Sequence, residues 1–302
     1  MERILSYIIT PQDENIPISE FLKSKGFSSQ NIIELKKMER SVLINDEWMH
    51  MNYRLKSGQE LIIHIQEHST NEHIIPVELP FPILYEDEDI VVINKPADMP
   101  IHPSQNNYDN TLANAAAYYY EVKQNTPFTF RCINRLDRDT TGLTILAKNI
   151  YSANILATHM QERKIKRLYI AILDGALEKK WGTLNRPIGR KDHSTIEREV
   201  NYEHGERAIT HYYRISQYGQ YQLAAFQLET GRTHQIRVHM SSIDAPLVGD
   251  TLYNTKPSAT LLPRQALHAY RISFPHPITG DFMKFTAPIP NDMKNFICSI
   301  NS

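Results

Sequence analysis

Arg131-Cys132-Ile133-Asn134-Arg135-Leu136-Asp137-Arg138-Asp139-Thr140-Thr141-Gly142 sets three arginines and two carboxylates in twelve positions. A mostly apolar run, Leu143 to Ala147, follows at once. Charge of that density against a buried strand is costly unless the charges pair or act on a ligand. The pattern predicts a polar loop carried by a rigid strand, a common setting for chemistry. A solvated, salt-bridged turn is the plainer reading, and it needs no partners elsewhere in the chain.

Partners are on offer. Asp137 lies between Arg135 and Arg138, and an aspartate so placed can serve as a nucleophile or general base. Leu228-Glu229-Thr230-Gly231-Arg232-Thr233-His234-Gln235-Ile236-Arg237-Val238-His239 breaks a strand pattern and opens a helix. Gly231 permits the tight turn, and Arg232 and Thr233 then fall at a helix N-terminus, a natural anion site. The anion is either a phosphate or a carboxylate such as Asp137. Tyr169 shares a strand face with Arg167, just after Arg163, Lys164 and Lys166. An aromatic ring beside basic residues suits base stacking with phosphate tracking. A half-buried core tyrosine is the alternative.

The bulk numbers narrow the classes. The chain has 302 residues, 41% hydrophobic and 22% charged, enough for one large core and a smaller module. With 33 basic and 34 acidic residues the formal net charge is -1. Any nucleic-acid surface must therefore come from local clustering, expected around Arg163 to Arg167 and Arg186 to Lys191. Cys132 and Cys298 make neither a disulfide framework nor a zinc site, and His234 and His239 are badly spaced for a metal pair on one helix. His64 and His68 are no better placed. No metal is expected. Neither a secretory leader nor a membrane-length apolar run is present, so the expected setting is cytoplasmic.

Periodicity gives three segments. Residues 1–66 begin with a strand at 4–10 and a helix from Ile18 stopped by Gly26. Ser28 or Ser29 caps a second helix, and Val42 to Ile44 and Leu61 to Ile65 follow as strands. Lys36, Lys37 and Arg40 close the second helix, either facing RNA or simply solvated there. Residues 67–82, with Pro76, Pro80 and Pro82, predict a linker. Residues 83–302 form the large domain. Its strands are expected at Ile90 to Ile93, Leu143 to Ala147, Arg167 to Leu173, Ala208 to Ile215, Tyr221 to Leu228, Leu267 to Phe274 and Lys284 to Ala287. Thr111 to Tyr120 predicts a helix. Asn149 should cap another, with Ala153, Leu156, Ala157 and Met160 as its core stripe. Trp181 to Arg190 is expected as a loop, and Thr233 as a cap for a helix reaching Met240. Many strands and few, separated helices predict an α+β domain on a mixed, largely antiparallel sheet.

Two resemblances follow from these residues. Residues 1–66 resemble the small αL RNA-binding domain of a small-subunit ribosomal protein, through Ile44-Asn45, Asn52, Leu55 and Gly58. The usual Gly after Asn is Asp46 here. From about Ile83 to Pro288 the chain resembles the RluA family of RNA pseudouridine synthases. The matching residues are Arg135-Leu136-Asp137 with Asp139-Thr140-Thr141-Gly142, Arg167-Leu168-Tyr169-Ile170-Ala171, and Thr230 through His239. Ile93-Asn94-Lys95-Pro96 and Gly249-Asp250 also match.

The resemblance implies the pseudouridine synthase fold and cofactor-free isomerisation of specific uridines in structured RNA, either ribosomal or transfer RNA. It makes Asp137 the catalytic carboxylate, Tyr169 the ring that stacks on the flipped uracil, and Arg232 the cation that holds the aspartate. Arg135 would enter the RNA stack where the base leaves. Asn134 (where the family commonly has His), Arg138, Arg163, Lys164, Lys166, Arg167, His234 and Arg237 are assigned to RNA. Arg237 and His239 are read as structural or RNA-contacting. No membrane and no required protein partner are expected. Two other readings compete. A non-catalytic RNA-binding or ribosome-assembly factor would not need Asp137, Tyr169 and Arg232. A carboxylate hydrolase would need a second acid that the chain does not offer.

Overall fold

The structure is a computed structural model and describes residues 2–66, 73–105 and 107–301. Part of the expected linker, residues 67–72 with His68, lies outside the described residues.

The N-terminal unit is a four-stranded sheet backed by two helices. Its strands β1 (Glu2–Ile8), β2 (Val42–Ile44), β3 (Glu47–Trp48) and β4 (Glu60–Gln66) take the order β1-β4-β2-β3. Alternation in β4 sends Leu61, Ile63 and Ile65 inward, as period 2 requires. They meet Ile18, Phe21 and Leu22 of α1 (Ile18–Ser24) and Ile32 and Leu35 of α2 (Ser29–Lys37). Ser28 caps α2 by accepting from the Asn31 backbone N–H at 3.1 Å, while the Asn31 side chain accepts in return from the Ser28 backbone N–H. The β2–β3 turn holds both Asn45 and Asp46 at positive φ, so Asp46 fills the place usual for glycine.

The large domain is built on one nine-stranded sheet. Its strands are β5 (Ile83–Glu86), β6 (Ile90–Lys95), β7 (Thr141–Ala147), β8 (Lys166–Asp174), β9 (Trp181–Asn185), β12 (Ile209–Tyr218), β13 (Tyr221–Leu228), β14 (Leu267–Pro275) and β15 (Phe282–Thr286). A separate ribbon pairs β10 (Ile188–Arg190) with β11 (Arg198–Val200). The sheet order is β5-β6-β7-β14-β8-β13-β12-β9, with β15 on β14. Among the described strands only β7 and β14 run parallel, joined at Thr141↔His268 and Gly142↔Ala269. Long apolar runs in β6 and β7 are buried on both faces, because helices and loops cover both sides there.

Gly142 makes that junction possible. Its φ is +109°, and a Cβ there would lie 2.3 Å from the carbonyl oxygen of Ala269. The loop containing Asp137 therefore ends at a point where only glycine fits.

Four α-helices among the described residues complete the domain: α3 (Leu112–Ala117), α4 (Ile150–Gln161), α5 (Gln235–Ser241) and α6 (Asn291–Asn301). Asn149 caps α4 as expected, accepting from Ser152 N–H at 2.8 Å. Ala157 is exposed, however; Tyr151, Ser152 and Leu156 are the buried residues of that helix. The buried face is wider because α4 also supports the N-terminal unit. Tyr151 stacks on Phe27 with ring centroids 3.9 Å apart and donates to the Lys25 carbonyl at 2.7 Å. Arg3 adds a two-pronged bond to buried Asp89.

Other expectations change. Trp181 to Arg190 is not a loop but β9 and β10, polar edge strands whose sequence hides their pairing. Residues 73–82 are irregular yet held: Ile74, Leu79 and Phe81 pack on the α3 core, and Asn114 binds the backbone at Ile75 and Val77.

Candidate active site

The polar loop from Arg135 to Thr140 is fastened from behind. Lys95 at the end of β6 is fully buried, and its Nζ donates to the carbonyls of Pro96, Met99 and Arg138 at 2.7, 2.8 and 2.8 Å. Burial pushes the Lys95 ammonium down to about 7, against the pull of Asp139 and Asp137. Arg264, also buried, reaches the Asp139 carbonyl and pairs with Asp292. The Asp137 carbonyl accepts from Thr140 N–H, which tightens the turn. The backbone is thus spent on structure and the Asp137 side chain is left for other work.

Asp137 faces Arg237, whose Nη1 lies 3.3 Å from Asp137 Oδ2. Arg237 is buried and gripped from its other side by Asp250, with Nε and Nη2 each donating at 2.8 Å. Burial opposes the Arg237 charge, but Asp250 and then Asp137 more than offset it, so its pKa is raised. Asp250 is fully buried and also accepts from the backbone of Leu252 and Tyr253. The result is a fixed row of carboxylate, guanidinium and carboxylate.

This corrects the expectation for Arg232. That side chain is 40% exposed, pairs with Glu206 and donates to the Arg207 carbonyl. The reason is helix phase. Thr233 does not cap α5; His234 takes the N-cap position, in the left-handed conformation with φ of 58° and without a side-chain capping bond. Gln235 locks the turn by accepting from Arg232 N–H and Thr230 Oγ1 and donating to Ile209 and Thr210. Arg232 is turned outward and Arg237, one turn on, points at Asp137.

A cavity of about 530 Å³ opens above this row, lined by Asp137, Tyr169, His234, Ile236 and Leu267, with Arg135, Arg163, Arg167 and Arg232 around it. That volume lies in the range usual for small-molecule sites. Tyr169 is 5% exposed and packs on Leu136, Ile236 and Leu267. Burial, with a contribution from Asp137 and opposed by Arg167, raises its pKa and keeps the phenol neutral. Arg135 is exposed and makes no bond to a described residue. A second hollow of about 330 Å³ shares Arg135, Gly231 and Arg232 with the first and adds Arg190, Arg198 and His204. The expected basic clusters therefore meet at the cavity mouth in part, through Arg163, Arg167 and Arg190. Arg186 instead binds Ser242, and Lys191 pairs with Glu197.

The remaining site expectations divide. Asn134 is corrected: it is buried, donating to the Leu143 carbonyl and accepting from Ile145 N–H, so both amide ends brace β7. Arg138 pairs with Asp139 and Asp98 at the surface. Arg163 reaches Glu229, Lys164 reaches Glu162, and Lys166 is exposed at the start of β8. Lys36, Lys37 and Arg40 are in the N-terminal unit and do not line the cavity; Lys37 pairs with Glu34. His239 is a structural bridge between Thr210 and the Arg186 carbonyl. Asp87, Asp89 and His276 form a cluster of metal-ligand type among the described residues, but protein groups occupy them: Tyr85 and His276 on Asp87, Arg3, Asn149 and Ser152 on Asp89.

Sequence reasoning named Lys95 and Asp250 only as parts of the resemblance, with no role for either, and missed Tyr253 altogether. One signal for Asp250 was available, a carboxylate directly after the apolar Leu247-Val248-Gly249.

The site's relatives are consistent in kind. The family described as RNA pseudouridylate synthase matches residues 89–242. A Bacillus subtilis protein named uncharacterized RNA pseudouridine synthase YjbO is 38% identical, over 93% of this chain and 98% of its own. The Neisseria meningitidis protein named ribosomal large subunit pseudouridine synthase D, from a serogroup B strain, is 34% identical over 86% of this chain and 71% of its own. Among solved structures, human RNA pseudouridylate synthase domain containing 4 superposes with a TM-score of 0.60 at 23% identity, covering 72% of this chain and 92% of that one, and shares the fold.

Proposed function

This chain belongs to the RNA pseudouridylate synthase family and isomerises uridine to pseudouridine in RNA, and we propose that Asp137 is the carboxylate that acts on the uridine. One observation carries the proposal: the Asp137 carboxylate stands in the cavity beside Tyr169, with a buried Arg237 as its partner. The target nucleotide is extruded from its helix into the cavity, where Tyr169 stacks on the uracil. Arg135, unpaired among the described residues and at the mouth, takes the place of the lost base in the stack. The reaction breaks the C1′–N1 bond, turns the base, and forms C1′–C5. The C5 proton leaves and N1 ends protonated, so the isomerisation balances without an oxidant or reductant. Arg237 is a positioning residue, fixing one carboxylate oxygen of Asp137 while the other stays open to the nucleotide.

The substrate is taken to be large-subunit ribosomal RNA, the target for which several relatives are named. The linked basic hollows give a phosphate path of the kind RNA needs. Residues 1–66 are proposed to be an αL RNA-binding domain that extends this path. Lys36 there lines a hollow with Trp48 and His50. The enzyme is proposed to meet its RNA in the cytoplasm. Among the described residues no helix is long and apolar enough to cross a membrane.

Mapping pseudouridines in ribosomal and transfer RNA, with and without the protein, tests the assignment. Loss of sites from large-subunit RNA is expected, and loss confined to transfer RNA would overturn that substrate. Asp137→Asn should abolish turnover on the same RNA while binding survives. Turnover by that variant would refute the role of Asp137.

A further inference from the structure

His234 sits in the cavity wall in the left-handed backbone region, φ 58°, a conformation that costs a non-glycine residue energy. What its ring presents to the cavity follows from its neighbours. Tyr253 Oη is 2.7 Å from His234 Nδ1. The same oxygen accepts from the backbone N–H of Arg198 at 2.8 Å. The Tyr253 hydroxyl proton has no acceptor among the described residues other than His234 Nδ1. If Nδ1 carried a proton, the part-buried phenol proton would be left without a partner, at a cost. The arrangement that satisfies both atoms has Tyr253 donating, Nδ1 accepting, and the imidazole proton on Nε2. Nε2 makes no bond to a described residue.

Two further observations agree. Arg237 lies over the Tyr253 ring, its guanidinium carbon 4.9 Å from the centroid, so the residue that positions Asp137 also fixes the tyrosine. Burial lowers the His234 pKa, Asp137 opposing and Arg237 adding to the effect, which favours the neutral ring.

We propose that His234 is a substrate-binding residue that donates from Nε2 to an oxygen of the extruded uridine nucleotide, and that Tyr253 is the positioning residue that sets its tautomer. This rests on the assignment of the cavity as the uridine site. A donor fixed in this way adds a contact that registers the nucleotide against Asp137 without competing for the carboxylate's proton chemistry. It also ties the β10–β11 ribbon to the reaction, since Arg198 supplies the bond that orients Tyr253.

The test is a double-mutant cycle on single-turnover pseudouridine formation with a ribosomal RNA fragment, using the full chain. His234→Ala is expected to slow the reaction roughly 2- to 13-fold, the worth of one neutral hydrogen bond. Tyr253→Phe keeps the ring under Arg237 and should slow it less. The double variant should match His234→Ala alone. Multiplied losses would overturn the shared path, and His234→Gln, which offers an amide donor at similar reach, must be faster than His234→Ala or the donor role fails. Nitrogen NMR of the free enzyme should find Nδ1 unprotonated; a proton there would also overturn the proposal. Substrates with thiouracil at either carbonyl separate the acceptors: lost dependence on His234 assigns that carbonyl, and dependence kept with both assigns the ribose-phosphate. Asp137→Asn in the same assay keeps the two readings apart. If it turns over, the site assignment falls. If it is dead while His234 and Tyr253 act independently, only this inference falls.

Discussion

Replacing Arg237 by methionine separates the two jobs of the central row. Arg237 donates twice to Asp250 at 2.8 Å and once to Asp137 at 3.3 Å. Methionine fills similar space but leaves the fully buried Asp250 carboxylate with only two backbone donors. Breaking a buried pair from one side costs about 3–5 kcal/mol, a large share of the 5–15 kcal/mol that holds a typical domain. Urea unfolding should register that loss as a lower midpoint with an unchanged slope. Replacing Asp250 by leucine as well removes the orphaned charge, so Arg237→Met with Asp250→Leu should recover most of the stability.

Activity should not recover with it. The bond to Asp137 is long, so its charge-assisted worth belongs at the low end of the usual range, about 1.5 kcal/mol, or roughly 10-fold in single-turnover rate. Arg237→Lys should also be slow, because an ammonium cannot reproduce a fork that serves two carboxylates at once. Arg232→Met is the control. Its pair with Glu206 is exposed and worth about 0–1 kcal/mol, so stability should hold while RNA binding weakens and its salt dependence falls. A stable double variant with full turnover, or a larger loss of single-turnover rate at saturating RNA from Arg232→Met than from Arg237→Met, would refute the assignment of Arg237.

Three further outcomes are expected. Gly142→Ala drives a Cβ to within 2.3 Å of the Ala269 carbonyl oxygen at a φ of +109°, and should cost at least about 2 kcal/mol by urea unfolding. Lys95 has a folded pKa near 7, below the unfolded value, so the folded state binds fewer protons between about pH 7 and 10 and stability should rise with pH there; Lys95→Met should lack that rise, and identical pH slopes in the two proteins would reject it. Tyr151→Ala removes the stack on Phe27 and the bond to Lys25, which should cost about 3–5 kcal/mol and loosen the N-terminal unit, read as faster amide exchange in α1 and α2 with the single-turnover rate at saturating RNA retained.

The sheet and the reactive loop were legible because their signals are local. Continuous apolar runs mark β6 and β7, period 2 marks β8 and β13, and the density of charge between Arg131 and Gly142 marks the loop. The partner of Asp137 was not legible, for a tertiary reason. Arg232 and Arg237 are five apart, Arg232 three residues before α5 and Arg237 in its first turn. Which one turns inward depends on where the helix begins, and Gln235 sets that through bonds to Ile209 and Thr210 on β12. No pattern within the turn encodes that contact. Asn134 failed in the same way. A polar residue beside Arg135 reads as solvent-facing, but here the segment before the loop runs along β7, and the amide is used as a backbone clamp. The edge strands β9 and β10 were hidden because exposed polar strands carry little hydrophobic period.

The position of the buried cations explains why so much charge is kept inside. Lys95, Arg237 and Arg264 are all buried, and all three act on the loop that carries Asp137. Two of them hold main-chain carbonyls at Arg138 and Asp139, and the third meets the carboxylate itself. Apolar packing could stabilise a turn at lower desolvation cost, but it could not fix carbonyl directions or face an anion. A carboxylate satisfied on both oxygens by close donors would be well held and unreactive. Asp137 has one long bond on Oδ2 and no partner on Oδ1 among the described residues. Fastening the backbone so firmly is what allows the side chain to be held so lightly. The same logic places the aromatic and basic groups: Tyr169 is fixed by packing and Arg135 by nothing, as suits a ring that must meet a base in one pose and an arginine that must follow RNA into a gap.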